Sequence, residues 1–120
     1  HTSSEIASLA QKFPENIKLL AAYKDEIMLA GVIIYESGPV AHAQYIASSD
    51  TAKKMGVADL VFDSIITHYS TGKKYFDFGV STEKGGSYLN RGLAANKQYF
   101  GSRAIVYDTY EADVANSRFL

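Results

Sequence analysis

Residues 40–69, VAHAQYIASSDTAKKMGVADLVFDSIITHY, decide the fold. The run opens as a strand over Val40 to Ser48. It passes through a small, polar and basic segment, Ser48 to Ala58, that has no strand periodicity. From Val57 the period turns helical: Leu60, Val61, Ile65 and Tyr69 share a face, with Phe62 and Ile66 widening it, until Thr71-Gly72 ends the helix. A short aromatic and β-branched strand, Tyr75 to Val80, follows. Strand, helix and strand in this order form a βαβ unit, so the two strands should run parallel with a right-handed crossover.

Working outward, the chain before Val40 reads as a helix and two strands. Ile6, Leu9, Ala10 and Phe13 recur at helical spacing over Ser3 to Phe13, with Ser4 as the expected cap and Pro14 as the stop. Ile17 to Tyr23 and Ile27 to Tyr35 are apolar strands joined by the polar turn Lys24-Asp25-Glu26. Gly31 inside the second strand suggests a bulge, and Glu36-Ser37-Gly38-Pro39 turns the chain into Val40. These three strands make an antiparallel meander. After Val80, Ser81 to Ser87 is a loop with a Gly85-Gly86 pair, Tyr88 to Phe100 a second long helix closed by Gly101, and Ala104 to Tyr110 a final strand. The expected class is α+β: one mixed sheet covered by helices, residues 1–120 forming a single domain.

Composition narrows the functions. The 120 residues include no cysteine, which removes disulfide scaffolds, thiolate zinc sites and cysteine nucleophiles. Twelve basic against thirteen acidic residues give a net charge of −1, unlike a chain that binds nucleic acid by its overall field. No stretch reaches the ~18–20 apolar residues of a membrane span. His68 stands alone on its helix and no metal-type spacing occurs, so no metal is expected. Freedom from cysteine suits a reducing cytoplasm.

The chemistry-bearing feature is Lys53-Lys54-Met55-Gly56-Val57-Ala58, at the start of the long helix. A helix N-terminus exposes N–H groups and partial positive charge. Gly56 and Ala58 are small enough to let a phosphate approach, and Lys53 and Lys54 add full charges. A turn of the chain at Met55 would converge these amides on an anion. The same residues also suit a solvated loop. Neither the P-loop pattern nor G-x-G-x-x-G is present.

Lys53-x-x-Gly56-x-Ala58 resembles the acyl-CoA loop of the GNAT N-acetyltransferases, Gln/Arg-x-x-Gly-x-Gly/Ala, with Lys in first place. The runs VAHAQYIASS (40–49), KKYFDFGVSTE (73–83) and YLNRGLAANKQYFGSRAIVYDTYE (88–111) are similar to the GNAT domains of bacterial FemAB-like proteins, nearly along the whole chain. The resemblance implies a GNAT-like fold that lacks its first strand and helix, being the C-terminal part of a longer protein. It implies acetyl-CoA or another acyl-CoA in a gap between splayed parallel strands. Pantetheine would lie on Ile46, Ala47 and Ser48, pyrophosphate on the amides of Lys54, Gly56, Val57 and Ala58, and Asn90 near the pantetheine. FemAB ligases use aminoacyl-tRNA instead, which leaves a cell-wall ligase as an alternative; a non-catalytic scaffold is a third reading.

Acyl transfer to an amine needs a base, an acid for the leaving thiolate, and donors for the oxyanion. Strict alternation puts Val40, His42, Gln44, Ile46 and Ser48 on one side of their strand. His42 is the first candidate base; Asp77, between Phe76 and Phe78 in a strand expected to be internal, is placed to face it. Glu83, just beyond that strand, is the second base candidate. Tyr88 leads Tyr-x-x-x-Gly-Leu, which resembles the GNAT pattern whose tyrosine protonates the thiolate. Lys97 and Arg103 read as surface charges or as contacts for an acidic substrate. The expected acceptor is a small-molecule or peptide amine, and the free sheet edge near Ile17 invites a homodimer.

Overall fold

The computed structural model describes residues 1–113. Its first helix, α1 (Ser3–Lys12), is capped by Thr2 rather than Ser4. The Thr2 hydroxyl accepts from the Glu5 amide, and the Glu5 carboxylate accepts from the Thr2 amide at 2.7 Å. This reciprocal box satisfies two otherwise orphaned donors.

The meander follows as expected: β1 (Ile17–Lys24), β2 (Ile27–Glu36) and β3 (Val40–Ser48), each antiparallel to its neighbour. Asp25 and Glu26 both take positive φ, 49° and 67°, which matches a two-residue hairpin to the strand twist. Next come α2 (Asp50–Lys54), α3 (Val57–Tyr69), and β4 (Tyr75–Asp77) parallel to β3. The sheet order is β1-β2-β3-β4. A second, two-stranded ladder pairs β5 (Thr82–Glu83) with β6 (Tyr88–Leu89) across a 3-10 turn at Lys84–Gly86. Helix α4 (Arg91–Tyr99) is the last regular element among the described residues.

The core lies between α3 and one face of the sheet. Val32 and Ile34 from β2 and Ile65 from α3 are its largest fully buried side chains, with Ala41, Ala43, Val61 and Phe62 around them. Phe62 also touches Phe76, Phe78 and Phe100 at centroid distances of 5.2–6.4 Å, tying α3 to β4 and to the end of α4. Helix α1 covers the opposite face, where Ile6, Ala7 and Ala10 meet Leu19 and Ile33 around a shallow cavity of about 280 Å³.

Several expectations are corrected. Gly31 sits in regular register between Ala21 and Ala47; the bulge is at Gln44, because Ile33 pairs Tyr45 while Ile34 pairs Ala43. A second irregularity falls at Ala22/Tyr23. The bulge overturns strict alternation in β3: His42 lies opposite Tyr35, on the α1 face, whereas Ile46 and Ser48 lie opposite Val32 and Ala30, on the α3 face. The polar stretch after Ser48 contains the short helix α2, capped by Ser49. Strand β4 stops at Asp77, not Val80. Tyr88 and Leu89 belong to β6, so α4 begins only at Arg91, where Asn90 caps it. Residues 104–110 join no ladder among the described residues, and Ile105, Val106, Tyr107 and Tyr110 are at least three-quarters exposed. Their β-propensity finds no paired edge here, so among the described residues β4 is an edge strand and Asp77 is not internal.

Candidate functional site

Strands β3 and β4 pair at only three positions: Val40 with Tyr75, Ala41 with Phe76, and His42 with Asp77. Beyond the last pair β3 continues to Ser48 while β4 has ended, so the two strands part above His42 and Asp77. The bulge at Gln44 falls at this same level.

The two side chains at the vertex meet. His42 Nδ1 lies 2.8 Å from Asp77 Oδ2, and Asp77 Oδ1 accepts from the Gly79 amide at 2.8 Å. Burial pushes the Asp77 carboxyl up, but the Gly79 amide, His42 and the Lys97 charge outweigh it and hold the group below its ordinary range. An ionised Asp77 only accepts, so Nδ1 carries the proton and Nε2 is the basic nitrogen. Nε2 stands 3.0 Å from Gln44 Oε1, and a half-turn of that amide would exchange the oxygen for the NH₂. That amide can present its NH₂ to neutral imidazole or its oxygen to imidazolium.

At the far end of β3 the chain enters α2 and then reverses. The reversal lies at Gly56, with φ of 68° and ψ of 24°, and not at Met55, which is right-handed. A side chain disfavours this left-handed conformation, although a Cβ on Gly56 would meet nothing within 4 Å. The amides of Met55 and Gly56 are spent on Ala52 and Lys53 carbonyls. Lys54 lies in the last turn of α2. Of the four expected amide donors, those of Val57 and Ala58 have no partner among the described residues, and no side chain caps α3. Both point from a helix N-terminus, where an anion is favoured. Lys53 is drawn to Asp50 at 3.2 Å. Ile46, Ala47 and Ser48 pair with β2 along one edge of β3, and among the described residues no strand covers their other edge.

Two further candidates are placed elsewhere. The Glu83 carboxylate accepts from the Asn90 side chain at 2.7 Å, while Asn90 Oδ1 accepts from the Leu93 amide. Glu83 therefore steadies the cap of α4 and makes no contact with His42. Tyr88 is half-exposed on β6, its ring 5.5 Å from the Lys84 ammonium. Neither joins the His42–Asp77 pair. Among the described residues no cluster of three or more His, Asp or Glu side chains is arranged to hold a metal ion, and no helix is long and apolar enough to cross a membrane.

The splayed parallel pair, the bulge beside it and the open helix N-terminus agree with a family comparison: the profile described as an acetyltransferase (GNAT) domain matches residues 2–88. The chain belongs to the GNAT acetyltransferases. Solved structures share the fold. An aminoglycoside acetyltransferase from an uncultured soil metagenomic sample is 12% identical, with a TM-score of 0.60 over 88% of this chain and 74% of that one. AAC(6')-Iy, solved with a CoA-containing bisubstrate analogue, is also 12% identical, with a TM-score of 0.60 over 92% and 82%. AAC(6')-IG of Acinetobacter haemolyticus is 18% identical, with a TM-score of 0.58 over 92% and 82%. No curated protein matches the chain. The FemAB likeness gains no support from these matches.

Sequence reasoning missed three residues around the His42–Asp77 pair. Gln44 was placed beside His42, but not as the bulge that keeps it there. Gly79, with φ of 73°, forms the turn that presents its amide to Asp77. Lys97 is buried, its ammonium donating to the Gly79 and Val80 carbonyls at 2.9 and 2.7 Å. A signal existed for Lys97: Asn90, Ala94 and Lys97 fall at i, i+4 and i+7, the spacing of an inward stripe.

Proposed function

We propose that this GNAT domain transfers an acetyl group from acetyl-CoA to a primary amine of a small molecule. The carrying observation is the parting of β3 and β4 immediately above the His42–Asp77 pair. It leaves a slot with a base at its floor, an uncovered strand edge along one wall, and free amides at its mouth.

The pyrophosphate is assigned to the Val57 and Ala58 amides, with Gly56 allowing close approach and Lys54 adding charge. Pantetheine is assigned to the uncovered edge of Ile46, Ala47 and Ser48. The amine attacks the thioester carbonyl and gives its proton to His42 Nε2 as the C–N bond forms. Asp77 orients the ring and stabilises the imidazolium. The C–S bond then breaks, and the thiolate takes a proton from Tyr88 or from water. Asn90 stays with the donor side of the slot as the cap of α4. A small-molecule acceptor is supported by neighbours whose names describe acetylation of aminoglycosides.

The test is thiol release. The chain has no cysteine, so a thiol-reactive dye reads CoA without background from the protein. Acetyl-CoA with a panel of primary amines, aminoglycosides included, should give amine-dependent release that His42→Gln abolishes. No release above the amine-free rate with any amine would overturn the reading.

A further inference from the structure

Lys97 sits in a position that its chemistry disfavours. It is the one charged side chain that is buried among the described residues, at 9% exposure. Burial pushes its ammonium below the ordinary lysine value, with Asp77 partly offsetting the loss. A lysine is retained in such a place only with strong partners. Its partners are two consecutive backbone carbonyls, Gly79 and Val80.

These carbonyls belong to the turn that serves the site. The Gly79 peptide is held from both ends: its N–H donates to Asp77 Oδ1, and its C=O accepts from Lys97. The turn also lies against the imidazole. A Cβ on Gly79 would come within 3.6 Å of His42 Cε1 and 3.5 Å of the Ala43 carbonyl. Movement of the turn therefore displaces Asp77 and opens space beside the ring. Neither β-ladder holds this stretch, since β4 ends at Asp77 and β5 begins at Thr82. Lys97 supplies the restraint that a strand would otherwise give.

We propose that Lys97 is a positioning residue for acyl transfer: by clamping the Gly79–Val80 turn from α4, it keeps Asp77 on His42 Nδ1 and so leaves Nε2 as the nitrogen that takes the amine proton. This rests on the assignment of His42 as base. The groups that face His42 are Asp77 from β4, Gln44 from its own strand, and Tyr35 opposite it on β2, with the Lys97 charge behind Asp77. Only Asp77 accepts from Nδ1. Losing its orientation frees the ring to exchange its proton between the two nitrogens.

The experiment is ¹⁵N NMR of the imidazoles in the full chain, with His42 assigned by its loss in His42→Gln, together with steady-state kinetics of Lys97→Met. The wild type should hold His42 in the Nδ1–H tautomer. In Lys97→Met the tautomers should mix, and kcat should fall about 10- to 100-fold, the scale of a misplaced catalytic group, while KM for acetyl-CoA stays within about twofold. A residue that only stabilised the fold would lower Tm and leave tautomer and kcat of the folded protein unchanged; that result overturns the proposal. If Lys97→Met does not fold, Lys97→Gln takes the same two readouts with the same outcomes. Should His42→Gln retain full activity, the base assignment fails, whereas the NMR result still judges the clamp on its own.

Discussion

The two ends of the parallel strand pair are built from similar groups and put to opposite uses. At the closed end, Tyr69 from the last turn of α3 donates to Glu36 Oε1 at 2.7 Å, and Lys73 from the α3–β4 connection lies 3.2 Å from Oε2, both reaching the end of β2. Lys73 also donates to the Ser37 carbonyl, Asn16 exchanges hydrogen bonds with the Glu36 backbone, and the Pro39 carbonyl receives the Lys74 and Tyr75 amides. At the open end, a carboxylate, an imidazole and a lysine meet beside a bulge, a left-handed glycine and an uncovered strand edge. Glu36 and Lys73 side chains are 18% and 17% exposed, whereas Asp77 and His42 are 46% and 31%. Saturated polar groups that face each other fix the fold. The polar groups at the open end are also hydrogen-bonded, but they remain accessible to solvent.

Substitutions at the two ends should therefore separate stability from activity. The largest expected effect is at the open end: His42→Gln should lower kcat by roughly 10²–10⁴-fold, the worth of a general base, with Tm changed little. A matching fall in Tm would erase the contrast. At the closed end Glu36→Ala strips acceptors from Tyr69 and Lys73 and should cost about 1–3 kcal/mol, read by urea unfolding, with KM for acetyl-CoA unchanged. Tyr69→Phe should cost less, about 0.5–1.5 kcal/mol, since Lys73 still holds the carboxylate.

Acid sharpens the same contrast. Burial raises the Glu36 carboxyl, but Tyr69 and Lys73 outweigh it, so its folded value lies below the ordinary one. A depressed carboxyl stabilises the fold above its unfolded value, and the contribution drains away as pH falls through the folded value. Stability should thus decline below about pH 4, the ordinary carboxylate range, and Glu36→Gln should show a shallower decline. Tyr69 is shifted upward by burial and by Glu36, which keeps its hydroxyl protonated as the donor through neutral and mildly alkaline pH.

Much of this contrast could be read from the chain. Val40–Ser48 and Val57–Tyr69 fall where alternation and helical period place them, because hydrophobic side chains must face one core. The His42–Asp77 contact followed from parallel pairing alone. What stayed hidden was set by single-residue geometry. A one-residue bulge at Gln44 has no compositional mark, yet it moves Ile46 and Ser48 to the other face. The Lys84–Gly86 turn pairs Tyr88 back onto Glu83, which periodicity reads as the start of a helix. The Asn90 cap was passed over inside the expected Tyr88–Phe100 helix, although an Asn before a helical run is a cap signal, and it explains why Tyr88 does not lie on α4. Lys97 was obscured by its charge, which composition assigns to the surface.

The central claim is that the open end binds acyl-CoA through the amides that begin α3. Gly56→Glu tests it poorly, since a side chain at φ of 68° is strained for reasons unrelated to binding. Ala58→Glu is cleaner: its carboxylate favours the helix N-terminus by about 0.3–1 kcal/mol while repelling a bound phosphate. Calorimetric titration of acetyl-CoA into the wild type and Ala58→Glu should show affinity falling at least about tenfold, or 1.4 kcal/mol, with Tm equal or higher in the variant. Equal affinity in the two proteins would contradict the account.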